Sequence, residues 1–244
     1  MNSAERKVLV FQHLAVEHPG VFREFLARDG YRYVPVELDA GEPIPPLEDY
    51  AALWVMGGPM DVWQADEHPW LLAEQAAIRR AVVELGMPFL GFCLGHQLLA
   101  AALGGEVGPA REPEVGLMDV TLTADGATSP FLRGFPPAFA VLQWHSAEVR
   151  RVPPGARVLA ESPRCAVQAM SVGPRAFSMQ FHLEVTGTTV PEWNAVPAYR
   201  AALVGALGEE GAGVLEAATA QRTPELNALA ARLYANWRAA TDFG

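Results

Sequence analysis

One junction in this chain constrains its fold more than any other feature. The apolar run Pro88-Phe89-Leu90-Gly91-Phe92 passes directly into the helical pattern Leu94–Leu103, with Cys93 between them and Gly91 and Gly95 two positions away on either side. A strand that turns at once into a helix needs neighbours without side chains, because the backbones crowd at so sharp a bend. Such a nucleophile elbow lifts the side chain at its apex above the carboxyl edge of a sheet. A thiol there sits at a helix N-terminus, where the dipole and free N–H groups favour thiolate. The Leu94 N–H faces the same side and is a natural oxyanion donor.

The rest of the first half fits that geometry. Val8–Phe11 and Ala52–Met56 read as buried strands, and Tyr33–Glu37 as an edge strand because Pro35 cannot donate to a central ladder. Helical patterns at Val21–Gly30 and Leu71–Glu84 alternate with these strands, and Gly30 and Gly86 close them. This alternation predicts an α/β fold with a mostly parallel central sheet and helices on both faces. Strand-like runs at 115–122, 139–142, 157–161, 166–172 and 176–181 predict a hairpin extension. The alanine- and leucine-rich stretch 197–244 predicts two or three helices, one carrying the stripe Leu226, Leu229, Ala230, Leu233 and Trp237. No repeat or linker divides the chain, so residues 1–244 are expected to form one domain, with a core at about 8–185 and a helical extension at about 190–244.

A nucleophilic thiol needs a base and a group to orient that base. Of the six histidines, His182 stands at the end of the apolar run Phe177–Phe181, with Glu184 two positions on. In an extended segment, residues two apart share a face, so the carboxylate can fix the imidazole tautomer. Gly57-Gly58 closes another buried strand, and the Gly58 N–H is the expected second oxyanion donor. The remaining candidates take ordinary readings. Cys165 is expected in the core and His96 packed at a helix start. Trp54, Trp63, Trp70 and Trp237 are expected as core or loop anchors. His13, His18 and His68 lack metal-ligand spacing, so no metal or other cofactor is expected.

Charge narrows the function classes. With 18 basic against 28 acidic residues the net charge is −10, which argues against a nucleic-acid partner. Lys7 is the only lysine, so a phosphate-binding loop ending Gly-Lys-Ser/Thr is excluded. Two cysteines make no disulfide framework, the N-terminal apolar run is too short for a signal peptide, and no window is long enough to span a membrane. A soluble, cytoplasmic protein is expected.

Gly57-Gly58-Pro59-Met60, Gly91-Phe92-Cys93-Leu94-Gly95-His96-Gln97 and Gln180-Phe181-His182-Leu183-Glu184 resemble, in order and spacing, the three motifs of class I glutamine amidotransferases. The chain is similar to the glutaminase domain of GMP synthase. The resemblance implies a flavodoxin-like fold and a catalytic triad of Cys93, His182 and Glu184. It also implies L-glutamine as substrate, a γ-glutamyl thioester on Cys93, and ammonia delivered to a partner synthetase subunit. Gln97 and the Gly57-Gly58 backbone are implied to bind glutamine, and Ser146, in Gln143-Trp144-His145-Ser146, to hold its amino-acid end. Leu183 stands where the family usually has proline, which marks a subgroup and leaves the alternation of side chains intact. Residues 186–244 are too few for an ATP-dependent acceptor domain, so the partner is expected on another chain. Its docking is expected to bring a movable Gly58 donor into place. A γ-glutamyl hydrolase or peptidase uses the same triad and is the alternative. A non-catalytic scaffold would not need both oxyanion signals. An intracellular-protease-type enzyme would place histidine where Leu94 stands.

Overall fold

The computed structural model describes residues 7–243. Its elements run β1 (Lys7–Gln12), α1 (Phe22–Arg28), β2 (Arg32–Glu37), β3 (Ala52–Val55), α2 (Trp70–Arg79), β4 (Phe89–Phe92), α3 (Leu94–Ala102), β5 (Glu106–Leu122) and α4 (Ala124–Thr128). They continue with β6 (Ala138–Arg151), β7 (Ala156–Glu161), β8 (Ala169–Val172), β9 (Ala176–Met179), α5 (Thr189–Asn194), α6 (Pro197–Leu207) and α7 (Gly211–Thr241). One sheet of nine strands holds them together in the order β2-β1-β3-β4-β9-β8-β7-β5-β6. The first five strands pair in parallel, and β2 is the edge strand its proline requires. From β9 onward every pairing is antiparallel. The expected parallel sheet is thus half of a larger mixed one, and the hairpin-rich middle supplies the rest.

Alternation along the central strands separates two apolar layers. Val8, Val10, Trp54, Leu90 and Phe92 face one side, where α1 and α7 pack with Phe22, Leu26, Leu233 and Trp237. Leu9, Phe11, Leu53, Val55 and Phe89 face the other, against Leu71 and Ile78 of α2 and Leu98 and Leu99 of α3. Both faces are covered, which is why these strands read as unbroken apolar runs rather than alternating ones.

Three boundaries differ most from expectation, beside shifts of one to three residues such as β8 starting at Ala169 and β9 ending at Met179. The helix expected over 71–84 is α-helical only to Arg79, and its last turn, Arg80–Glu84, is a π-helix. β5 begins nine residues before Val115 and β6 continues nine residues past Leu142. The Gly, Pro and Glu residues at 108–114 do not end β5, because the pairing slips at a bulge between Pro109 and Glu114 and then resumes. Trp63 is not part of the core: it is 48% exposed, whereas Trp54 and Trp237 are fully enclosed.

The order of strands decides where the site lies. β1, β3, β4 and β9 are neighbours and point the same way, with Phe11 opposite Val55, Val55 opposite Gly91 and Phe92 opposite Met179. The segments that leave their carboxyl ends, beginning at His13, Met56, Cys93 and Gln180, therefore emerge side by side along one edge.

Candidate active site

Cys93 turns the chain from β4 into α3 at φ 48°, ψ −103°, a conformation that side chains avoid. The neighbouring backbone accounts for both flanking glycines. A Cβ on Gly95 would lie 2.2 Å from the Val55 carbonyl oxygen, and one on Gly91 would lie 2.8 Å from the Gly95 carbonyl oxygen. The bend is held by hydrogen bonds from the Cys93 N–H to the Met179 carbonyl (2.9 Å) and from the Gly95 N–H to the Met56 carbonyl (3.1 Å). The thiol is 6% exposed. The Leu94 and Gly58 N–H groups have no acceptor among the described residues.

His182 follows β9 and bridges to Leu142 of β6, its N–H bonded to the Leu142 carbonyl at 2.9 Å. Its Nδ1 lies 2.5 Å from Glu184 Oε1, and both side chains are buried. Burial opposes a charge on this imidazole, but the Glu184 carboxylate and the adjacent Cys93 sulfur outweigh it and hold its pKa well above the ordinary range. Trp193 of α5 packs edge-on against the ring at 4.6 Å between centroids. The cysteine, the histidine–glutamate pair and the Gly57-Gly58 turn, far apart in sequence, are thus brought together.

A cavity of about 570 Å³ opens over Cys93. Gly58, Gln97 and Ser146 line it with Cys93, whereas Gly57, Leu94, His182 and Glu184 are not part of its lining. Gln97 donates to the Ala147 carbonyl (3.1 Å) and to Gln180 Oε1 (3.0 Å), and Gln180 donates to Cys93 Sγ (3.5 Å). Gln97 thus already ties the thiol, the β9 end and the β6 segment together, with its NH₂ group fully used. On the opposite wall, Ala198, Ala202 and Ala206 of α6 face the cavity at helical spacing, and Asp61 and Arg164 add charge.

Residues that the sequence did not single out for chemistry surround this edge. His13 Nδ1 is 2.7 Å from the Gly57 carbonyl oxygen and Nε2 is 2.9 Å from Glu74 Oε1, all three residues being in the interior. Tyr199 of α6 donates its hydroxyl to Glu17 Oε1 at 2.5 Å, and the other Glu17 oxygen has no partner among the described residues. Glu114 accepts from Gln168 (2.6 Å) and Ser162 (2.8 Å) and contacts His145 Nε2 at 2.9 Å, which pins the segment carrying Ser146. The signal for His13 is its place directly after a buried strand, the same place that Cys93 occupies. His96 and Cys165 are as expected. Burial lowers the His96 pKa to about 3 and raises that of Cys165 to about 12, and neither lines the cavity.

The family model "Glutamine amidotransferase class-I" matches residues 22–193. A GMP synthase (glutamine-hydrolyzing) subunit from Sulfolobus acidocaldarius is 35% identical over 173 residues, covering 69% of this chain and 87% of the relative. GMP synthase (glutamine-hydrolyzing) from Aeropyrum pernix is 42% identical over 152 residues, covering 62% of this chain but only 27% of that longer protein. Among solved structures, a glutamine amidotransferase from Methylobacillus flagellatus superposes with a TM-score of 0.85 at 30% identity, covering 96% of this chain and 95% of that one.

Proposed function

The chain belongs to the class I glutamine amidotransferases, and from that premise we propose that it hydrolyses the side-chain amide of glutamine through a thioester on Cys93. The observation that carries the reading is the convergence, on one sheet edge, of a thiol, a histidine–glutamate pair and two unclaimed N–H groups. The Cys93 thiol gives its proton to His182 as its sulfur attacks the γ-carbonyl carbon, and the Gly58 and Leu94 N–H groups receive the oxyanion. His182, oriented by Glu184, gives a proton to the leaving nitrogen as the C–N bond breaks, so ammonia departs and the γ-glutamyl thioester forms. His182 then takes a proton from water as the water oxygen bonds to the carbonyl carbon. The C–S bond breaks, His182 returns that proton to the sulfur, and glutamate leaves with the Cys93 thiol restored. Gln97 and Ser146 line the space for the substrate's amino-acid end. The described residues act as one domain, since both apolar layers share one sheet. No described helix is long and apolar enough to cross a membrane, and a cytoplasmic location is part of the same proposal.

Relatives named as glutamine-hydrolyzing subunits of GMP synthase support a synthetase on another chain as the acceptor of the ammonia. The direct test is ammonia release from glutamine by the purified chain. Turnover that persists in Cys93→Ala removes the thioester reading.

A second reading, hydrolysis of larger γ-glutamyl amides, is favoured by the cavity. At ~30 Å³ for each of its roughly ten heavy atoms, glutamine occupies at most about 300 Å³, about half of the 570 Å³ available. Part of the wall is α6, which lies beyond the residues that the family model matches. Steady-state kinetics on glutamine and on a γ-glutamyl dipeptide separates the two: the dipeptide has the higher kcat/KM only if the second reading holds.

A further inference from the structure

The Gly57–Gly58 peptide is gripped from its far side. In a planar trans peptide the C=O and the following N–H point in opposite directions, and the described residues contain no cis bond. Whatever holds the Gly57 carbonyl therefore also aims the Gly58 N–H. The holder is His13 Nδ1, at 2.7 Å. A carbonyl oxygen can only accept, so Nδ1 carries the hydrogen.

The histidine is itself fixed by two residues one turn apart on α2. Glu74 Oε1 meets Nε2 at 2.9 Å, and the Trp70 indole stacks on the ring at 5.4 Å between centroids, inclined by 15°. Both His13 and Glu74 are fully enclosed. With a proton on each nitrogen, the imidazole donates to the carbonyl on one side and to the carboxylate on the other, and the pair is compensated inside the protein.

Neither glycine has room for a side chain. A Cβ on Gly57 would lie 2.5 Å from Glu17 Oε2, and one on Gly58 would lie 2.9 Å from both His13 Cβ and Leu94 Cδ2. Gly58 borders the cavity beside Cys93, and its N–H has no acceptor among the described residues. A peptide flip would turn the Gly57 carbonyl toward the cavity and leave the buried His13 Nδ1–H without a partner, which a buried donor resists.

We infer that His13, anchored by Glu74, is a positioning residue that fixes the Gly57–Gly58 peptide with its N–H toward Cys93, so that the oxyanion donor is preset in the isolated chain rather than assembled by a docking partner. The inference rests on the proposed thioester chemistry and adds its mode of regulation. It replaces the movable donor expected from the glycines alone: glycine permits the flip, but the surrounding hydrogen bonds oppose it.

Two near-isosteric substitutions separate the latch from simple packing. In His13→Asn the side-chain amide nitrogen stands where Nδ1 stood and can still donate to Gly57. In His13→Gln it stands nearer to Nε2, keeps Glu74 and abandons Gly57. The isolated wild-type chain is expected to hydrolyse its amide substrate, glutamine or a γ-glutamyl dipeptide, without any partner. His13→Gln is expected to lower kcat by about 100-fold, the usual loss for an oxyanion donor, with KM within about threefold. His13→Asn is expected to retain kcat within about fivefold, although it gives up the enclosed Glu74 carboxylate and melts at the lower temperature of the two. Equal losses in the two variants, or a loss carried by KM, would overturn the latch. Turnover that is abolished in Cys93→Ala but untouched by His13→Gln sinks the latch and leaves the thioester reading standing. A wild-type chain inactive on both substrates until a second protein is added overturns the preset donor.

Discussion

The two sides of the cavity are built on different principles. The side that carries the thiol is the end of a parallel sheet, where β1, β3, β4 and β9 are cross-linked by main-chain ladders and their side chains, Lys7 apart, are buried. The facing side is α6, outside the sheet. It is tied to the body by the Tyr199 hydroxyl on Glu17, by the Trp144 indole N–H on the Tyr199 carbonyl at 3.3 Å, and by the packing of Trp193 between Trp144 and Tyr199. Bond-making groups need sub-ångström placement, which a hydrogen-bonded sheet provides. A wall that only shapes the substrate space tolerates looser attachment. Changes on the sheet side should therefore act on kcat, and changes on α6 on substrate preference.

The largest effect is expected at the elbow. Cys93→Ala should lower turnover at least about 10⁴-fold without unfolding the chain. Cys93→Gly should be equally inactive yet more stable than Cys93→Ala by about 1 kcal/mol, because glycine relieves the positive-φ strain at some entropic cost. Thermal melts of the two variants check this. Equal stabilities would mean that the bend is not strained.

Next comes Glu184→Gln, expected to lower kcat roughly 10³-fold, less than removal of the nucleophile. The carboxylate raises the His182 pKa, so its loss should move the limb on which the imidazolium deprotonates to lower pH. The sign for stability follows from the same shift. A raised folded pKa gives stability that is fully present below the unfolded value of about 6.5. That stability is lost as pH rises through the folded one. A pH–rate profile with the limb unmoved would detach Glu184 from His182.

On the α6 side, Tyr199→Phe should destabilise the protein by about 1–3 kcal/mol, because it leaves the enclosed Glu17 carboxylate without its donor. Glutamine kcat should change less than about fivefold, while KM for a γ-glutamyl dipeptide shifts more. A fall in glutamine kcat as steep as that of Glu184→Gln would break the division between the two sides. The smallest effect belongs to Cys165→Ala: kcat unchanged within about twofold, with a stability loss of about 1 kcal/mol for a buried thiol in the antiparallel half. Comparable inactivation at Cys165 and Cys93 would mean that the elbow confers nothing.

The legible features share one property: their cause lies within a few residues. Gly91 and Gly95 are needed because Cys93 bends between them, and the central strands are apolar throughout because both faces are covered. β5 is longer than its residues suggest because a bulge compensates its glycine and prolines only when β6 lies alongside. α6 is legible as a helix, but nothing in its alanines says that they face Cys93 rather than solvent.

Short-range backbone geometry dictates the α/β class, the elbow with its thiol, the two oxyanion signals and the His182–Glu184 pairing across two residues, so the order of residues is enough to read each of them. The insertion of β9 beside β4, which carries His182 to Cys93 across 89 positions, is a matter of packing alone. So is the placement of His13 against Gly57 and Glu74, 44 and 61 positions away. Such contacts depend on which strands become neighbours, and strand order is fixed by burying both sheet faces at once. That is a property of the whole chain, and no local window of residues contains it.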